Sequence, residues 1–259
     1  MHRDRHRRDV GERPPLTDEA AFRSWAERRR SGDQTATLFD LYELVATARG
    51  VQPHELAADE RAALSHRAMH VMQPGFEVAP GSDRDLDLIE IVAYDPEWPA
   101  RFERWREKLA AALGPTARRI DHIGSTSVPR LAAKPVIAIQ VRVDDMTREE
   151  LYVPQIEDLG VQLRSRDDDH RFFRPFAGNP RDVHIHVCNL GSEWARKDLL
   201  FAAYLRQDAA ARAEYLRGKE LAAARWGDDR IAYTEAKTEV IGAISGRAEE
   251  WALQTGWKP

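Results

Sequence analysis

Gly124-Ser125-Thr126-Ser127 puts a flexible backbone, free N–H groups and three hydroxyls into four consecutive residues, just ahead of an apolar strand. Such a turn can cradle phosphate oxygens, because backbone N–H groups and short hydroxyls can approach an anion closely. It is not a P-loop, since Gly-x-x-x-x-Gly-Lys-Ser/Thr occurs nowhere in the chain. Gly/Ser turns are common, so the motif needs company. Lys134, just before the strand, could add a positive charge to an anion site; it reads equally as an ordinary surface lysine. His184 and His186 lie two apart and could converge on a phosphate or a metal. Their plainer reading is partly exposed strand residues hydrogen-bonded to neighbours. Asp167-Asp-Asp-His-Arg171 sets acids beside His170 and Arg171, a kind of run that is more often a solvated loop.

The elements that would position these groups follow from periodicity. In Val136–Val143 the residues Ile137, Ile139, Val141 and Val143 share one strand face, which is core. The opposite face carries Val136, Ala138, Gln140 and Arg142. In the next key strand the apolar face is Val183, Ile185 and Val187, leaving Asp182, His184, His186 and Cys188 on the other. Further strands are expected at Leu88–Ala93, Ile120–Ile123, Val161–Arg164 and Arg171–Phe176. A turn at Asp95-Pro-Glu-Trp-Pro99 leads into a helix carrying Phe102, Trp105, Leu109 and Leu113, closed by Gly114-Pro115; a further helix is expected over about 147–159, and three helical segments from Ser192 to about Glu250. This is an α+β domain, a mixed sheet with packed helices, over residues 86–250. Residues 17–80 form a small N-terminal helical extension. Thr17 caps its first helix, Leu38–Ala48 is its second and Pro53 opens its third. Pro74-Gly75 and Pro80-Gly81-Ser82-Asp83 punctuate the chain and put the boundary near 75–86. Residues 1–16 read as a disordered tail; Asp4, Asp9 and Glu12 dilute its basic character.

Composition narrows the partners. A net charge of −4 supplies no global basic field, so nucleic acid is not an expected partner. No run of about 18 apolar residues occurs, so no membrane span is expected. The charged start does not read as a secretory signal. The single cysteine, Cys188, forms no internal disulfide and fits a reducing cytoplasm. The N-terminal helices could support a homo-oligomer.

Several blocks together resemble the GrpB family over roughly residues 88–250. They are Tyr94-Asp-Pro-Glu-Trp-Pro99 with Phe102, His122-Ile-Gly-Ser-Thr-Ser-Val-Pro129, Leu131-Ala-Ala-Lys-Pro135, His170-Arg-Phe-Phe173, His184-Ile-His-Val187 and Phe201-x-x-Tyr-Leu-Arg206, with Tyr215, Lys219, Tyr233 and Lys237 fitting its helical tail. The resemblance implies a nucleotidyltransferase-like fold. It also implies a nucleoside triphosphate as cofactor, ATP first, transferring a nucleotidyl group to a small-molecule substrate or activating it. By the same resemblance His122, Gly124, Ser125, Thr126, Ser127 and Lys134 would hold the nucleotide, and His170, Arg171, His184 and His186 would supply charge or proton transfer.

The chain departs from that pattern at its metal site. The fold's Mg²⁺ chemistry uses carboxylates at alternate strand positions. Here those positions are Ala138 and Gln140, and Asp144 lies about 20 Å further along an extended strand. No metal ligand is therefore assigned. Two alternatives stand beside the transferase. One is a degenerate protein that binds a nucleotide or anionic metabolite. The other is a histidine metal site of His122, His184 and His186, since imidazole suits transition metals.

Overall fold

The computed structural model describes residues 19–79, 88–176 and 178–259. The disordered tail, the Thr17 cap and the Pro80–Asp83 part of the boundary expected from sequence lie outside them. The chain separates into two compact units, one reaching to Ala57 and one of Ala58–Pro259.

In the first unit, α1 (Glu19–Arg30) and α2 (Leu38–Arg49) bury Phe22, Trp25, Leu38, Leu41 and Tyr42. The Trp25 indole donates to Thr37 O at 2.7 Å. Thr37 caps α2 by accepting from Asp40 N, and Gly50 ends it in the left-handed region. Pro53–Glu55 is a single 3-10 turn rather than a helix opening.

The second unit begins with α3 (Ala58–Met72) and the short strand β1 (Glu77–Val78). The helix expected third in the N-terminal extension thus groups with the larger unit. Next come α4 (Trp98–Leu113), β2 (Arg119–Ile123), β3 (Ile137–Val143), α5 (Val153–Glu157), β4 (Val161–Arg166), β5 (Arg171–Pro175) and β6 (Val183–Asn189). Four helices complete it: α6 (Glu193–Gln207), α7 (Ala209–Trp226), α8 (Arg230–Glu235) and α9 (Thr238–Thr255). No helix among the described residues is long and apolar enough to cross a membrane.

Six strands form one sheet in the order β1-β4-β5-β6-β3-β2, with β3 and β6 parallel and every other pair antiparallel. The fold is α+β with a mixed sheet. The alternation read from sequence holds. Ile137, Ile139, Val141, Val183, Ile185 and Val187 are buried on one face, under Trp98, Phe102, Leu109 and Leu113 of α4. The expected strand Leu88–Ala93 does not form. Only Val92 bridges, exchanging two backbone hydrogen bonds with Ala133, while Ile89 N donates to Gly227 O. Those loop partners satisfy the backbone without a ladder. The expected helix 147–159 shortens to a 3-10 turn and five-residue α5. The helical tail has four segments, because the break at Gly227 is followed by the separate short α8.

The sheet's other face is polar. Ala138 aligns with His184, Gln140 with His186 and Arg142 with Cys188 across the β3–β6 pair. α6 lies on this face, where Gln140 Nε2 donates to Ala195 O at 3.3 Å. A second apolar cluster of Leu200, Leu205, Tyr215, Ile244 and Ala248 joins the tail helices to Val128 and Leu131. It fixes α7 and α9 beside the Gly/Ser turn.

Candidate anion-binding site

The turn leaves β2 at Gly124, whose φ of +67° suits glycine. A Cβ there would meet Ala138 Cβ at 3.2 Å, so the turn lies close against β3. Ser125–Ser127 form one 3-10 turn. Thr126 is buried and donates to Val136 O at 3.2 Å. Ser127 Oγ donates to Gly124 O at 2.7 Å, and Arg206 from α6 grips Ser127 through its carbonyl and hydroxyl, both at 3.1 Å. Lys219 Nζ donates to Ser125 Oγ at 3.2 Å and to Ala132 O, and Tyr215 is hydrogen-bonded to Ser125.

These residues open onto a cavity of about 200 Å³. Gly124, Ser125, Ala138 and His184 form one side, and Tyr215, Lys219, Tyr233 and Lys237 the other, with Lys134 between. Lys219 sits 4.8 Å from the Tyr215 ring centre; Lys237 and Lys134 sit 4.2 and 5.3 Å from that of Tyr233. Three lysines thus share a small space whose lining contains no carboxylate. Burial makes their ammonium forms costly. It pushes Lys134 down to about 7, helped by Lys237, Arg230 and Arg181. It pushes Lys219 down to about 7, helped by Lys237, and Lys237 down to about 8. Burial and the nearby Lys134 also hold His184 well below the ordinary imidazole range. Three buried lysines with no carboxylate beside them leave positive charge uncompensated in this cavity.

The structure gathers part of the expected set. Gly124, Ser125, Thr126, Lys134 and His184 line the cavity. His186 lies one row deeper on the same face, stacked on His170 at 4.9 Å. His170 in turn stacks on Trp194 at 4.7 Å and pairs with Asp167. Ser127 braces the turn through Arg206. Arg171 does not reach the cavity. It aligns with Val187 on the opposite face and binds Glu149 at 2.7 Å, because strand alternation turns it away from Phe172 and His186.

His122 is likewise on the far face, aligned with Ile139 and stacked on Phe102 at 4.7 Å, with Nε2 3.0 Å from Thr126 Oγ1. Burial, then Arg206, lowers it to about 4. The histidine trio considered as a metal site is therefore not assembled: the sheet separates His122 from His184 and His186. Among the described residues no three His, Cys, Asp or Glu side chains gather as a metal site.

Sequence reasoning placed neither Lys219, Lys237, Tyr215 nor Tyr233 in the site. A signal was present. Tyr215-x-x-x-Lys219 and Tyr233-x-x-x-Lys237 repeat one spacing, which sets Tyr and Lys on one side of a helical turn.

Comparison with known proteins adds the lineage of this arrangement. The family model described as GrpB protein matches residues 88–247. A UPF0157 protein of Streptomyces coelicolor is 41% identical over 155 residues, covering 60% of this chain and 81% of that protein. A UPF0157 protein of Halalkalibacterium halodurans is 37% identical over 161 residues, covering 62% and 82%. A dephospho-CoA kinase of Mycolicibacterium paratuberculosis is 34% identical over 200 residues; the match covers 66% of this chain but only 48% of the kinase. The crystal structure of conserved protein GrpB from Enterococcus faecalis superposes with a TM-score of 0.56 at 27% identity, covering 62% of this chain and 99% of that one.

Proposed function

The chain belongs to the GrpB family, whose fold is nucleotidyltransferase-like, and on that premise we propose that its cavity binds the phosphates of a nucleoside triphosphate or a similar small polyphosphate. The observation that carries the reading is the convergence of Lys134, Lys219 and Lys237 on the Ser125 turn with no carboxylate in the lining. Ammonium groups neutralise phosphate charge, and of the turn's three hydroxyls the one on Ser125, held between Lys219 and Tyr215, is left to face the ligand.

A pair of Mg²⁺ ions does not fit these residues. Position 138 is alanine, Gln140 spends its Nε2 on Ala195 O, and three cations already occupy the surroundings. The lysines take over the charge neutralisation that metals supply elsewhere in this fold. Transfer of a nucleotidyl group to an acceptor is the second reading. The Asp167–His170 pair favours it, as a carboxylate-held imidazole is the usual form of a general base.

Titration calorimetry with ATP, inorganic triphosphate and adenosine tests the first reading, each in EDTA and in Mg²⁺. ATP and triphosphate should bind in EDTA, and adenosine should not. A strict requirement for Mg²⁺, or adenosine binding as tightly as ATP, overturns it. Release of pyrophosphate from ATP in the presence of candidate acceptors tests the second.

A further inference from the structure

Ser125 carries the hydroxyl of the turn that stays available to a ligand, since Thr126 and Ser127 donate theirs to the carbonyls of Val136 and Gly124. Two side chains of α7 converge on it. Lys219 Nζ lies 3.2 Å from Ser125 Oγ, and Tyr215 is hydrogen-bonded to the same serine. All three residues line the cavity. The other two lysines are held differently. Lys134 and Lys237 sit over the Tyr233 ring, and their Nζ atoms form no hydrogen bond or ion pair among the described residues. Neutralising a phosphate needs a cation but no hydroxyl contact, so the seating of Lys219 on Ser125 calls for a role of its own.

The pairing is that of a nucleophile and its base. Nζ donates to Ala132 O, which anchors the amine beside the turn. As an ammonium it also donates to Oγ; without its extra proton it offers the Ser125 O–H a lone pair across the same 3.2 Å. Burial, then Lys237, pushes Lys219 down to about 7, so the neutral amine is accessible near neutral pH. Burial raises the Tyr215 phenol, which stays protonated and can donate to Oγ while the Ser125 O–H points to Lys219.

We propose that Ser125 is a nucleophile activated by Lys219, and that it takes a phosphoryl or nucleotidyl group from a phosphoanhydride bound in the cavity. The proposal rests on the preceding reading that the cavity takes phosphates. Ser125 Oγ forms a bond to phosphorus, and the bond from that phosphorus to the bridging oxygen of the anhydride breaks. The Ser125 proton moves to Lys219 Nζ. The leaving phosphate departs as an anion, its charge met by Lys134 and Lys237. Attack of an acceptor oxygen on the same phosphorus frees Ser125, which regains its proton from Lys219 while the acceptor's proton goes to solvent.

A bound polyphosphate favours charged Lys219, so only the fraction of the complex with the neutral amine reacts. Affinity falls as pH rises, whereas transfer to Ser125 within the complex speeds up. Lys219 shares the lining with Tyr215 of its own helix, Ser125, Lys134, His184, Tyr233 and Lys237, and Glu220 acts on it from outside the lining.

The full chain is incubated with saturating ATP labelled at the α or the γ phosphorus, quenched and digested to map the label, with calorimetry following ATP binding in parallel. Label on Ser125 is expected, from the α position for a nucleotidyl ester and from the γ position for a phosphoryl ester. Single-turnover labelling should speed up by about tenfold between pH 7 and pH 8. Ser125→Ala should abolish the label. Lys219→Arg keeps a cation but no usable base; it should slow labelling by about 100-fold or more and weaken ATP by no more than about tenfold. ATP binding with no label on Ser125, label on another residue only, undiminished labelling in Lys219→Arg, or a rate that does not rise with pH overturns the proposal and leaves the phosphate reading standing. Absence of both ATP binding and label overturns the two together.

Discussion

The lysine cradle makes proton uptake the sharpest measure of ligand binding. In the empty cavity Lys134 and Lys219 titrate near 7 and Lys237 near 8, because burial and mutual repulsion disfavour three ammonium groups together. A bound polyphosphate reverses that balance and returns all three toward the charged form. The bound state then holds more protons than the free state, and affinity falls as pH rises. If all three lysines are charged in the complex, binding takes up about 2 protons at pH 8 but only about 0.2 at pH 6. The same linkage weakens binding by about 3 kcal/mol, on the order of 100-fold, between pH 6 and pH 8. Calorimetry with ATP at pH 8, repeated in buffers of different ionisation enthalpy, reads the uptake directly. ATP phosphates are fully ionised there and release nothing. Zero uptake, or net release, would refute the idea that these lysines face the ligand.

Ala138→Asp places a carboxylate against the turn and among the lysines; ATP affinity in EDTA should fall by about tenfold or more as the new charge competes with the ligand. It should gain no Mg²⁺ affinity, since the lining offers no other carboxylate; calorimetry with each ligand checks both parts. Lys237→Met should weaken ATP binding yet stabilise the empty protein by about 1–3 kcal/mol at pH 7. The folded pKa of Lys237 lies below its unfolded value, so its charged form costs stability in full below about pH 8. That cost fades as pH rises toward 10.5, and the variant's advantage in denaturant melts should fade with it. Gly124→Ala meets both a positive φ and the 3.2 Å approach to Ala138, and should cost about 1–2 kcal/mol in thermal unfolding while loosening ATP.

Much of this fold was legible because strand alternation is a local rule. The two faces of Val136–Val143 and Val183–Asn189 emerged as read, and with them the absence of a carboxylate at Ala138 and Gln140. The rule fixes relative faces only within one strand. Whether His122 shared a side with His184 depended on the β2–β3 register, which aligns it with Ile139. Arg171 shows the same limit, since its motif neighbours Phe172 and His170 belong to the polar side while it does not. Lys219 and Lys237 were hidden for a different reason. Both sit roughly a hundred residues from the turn, and only the docking of the tail helices brings them to Ser125.

That docking has a consequence for how the protein opens. Tyr215 and Lys219 stand on α7, while Tyr233 and Lys237 follow the Gly227 break; the opposite wall belongs to the sheet. The site exists only while the tail is seated. Local unfolding of α7 and α8 would scatter half the binding groups, so any ligand must close that opening in proportion to its affinity. Amide exchange in the two helices, and protease cutting near Gly227–Asp229, then become gauges of occupancy. A compound of unknown identity could be recognised by the tail it slows, before anyone knows what it is.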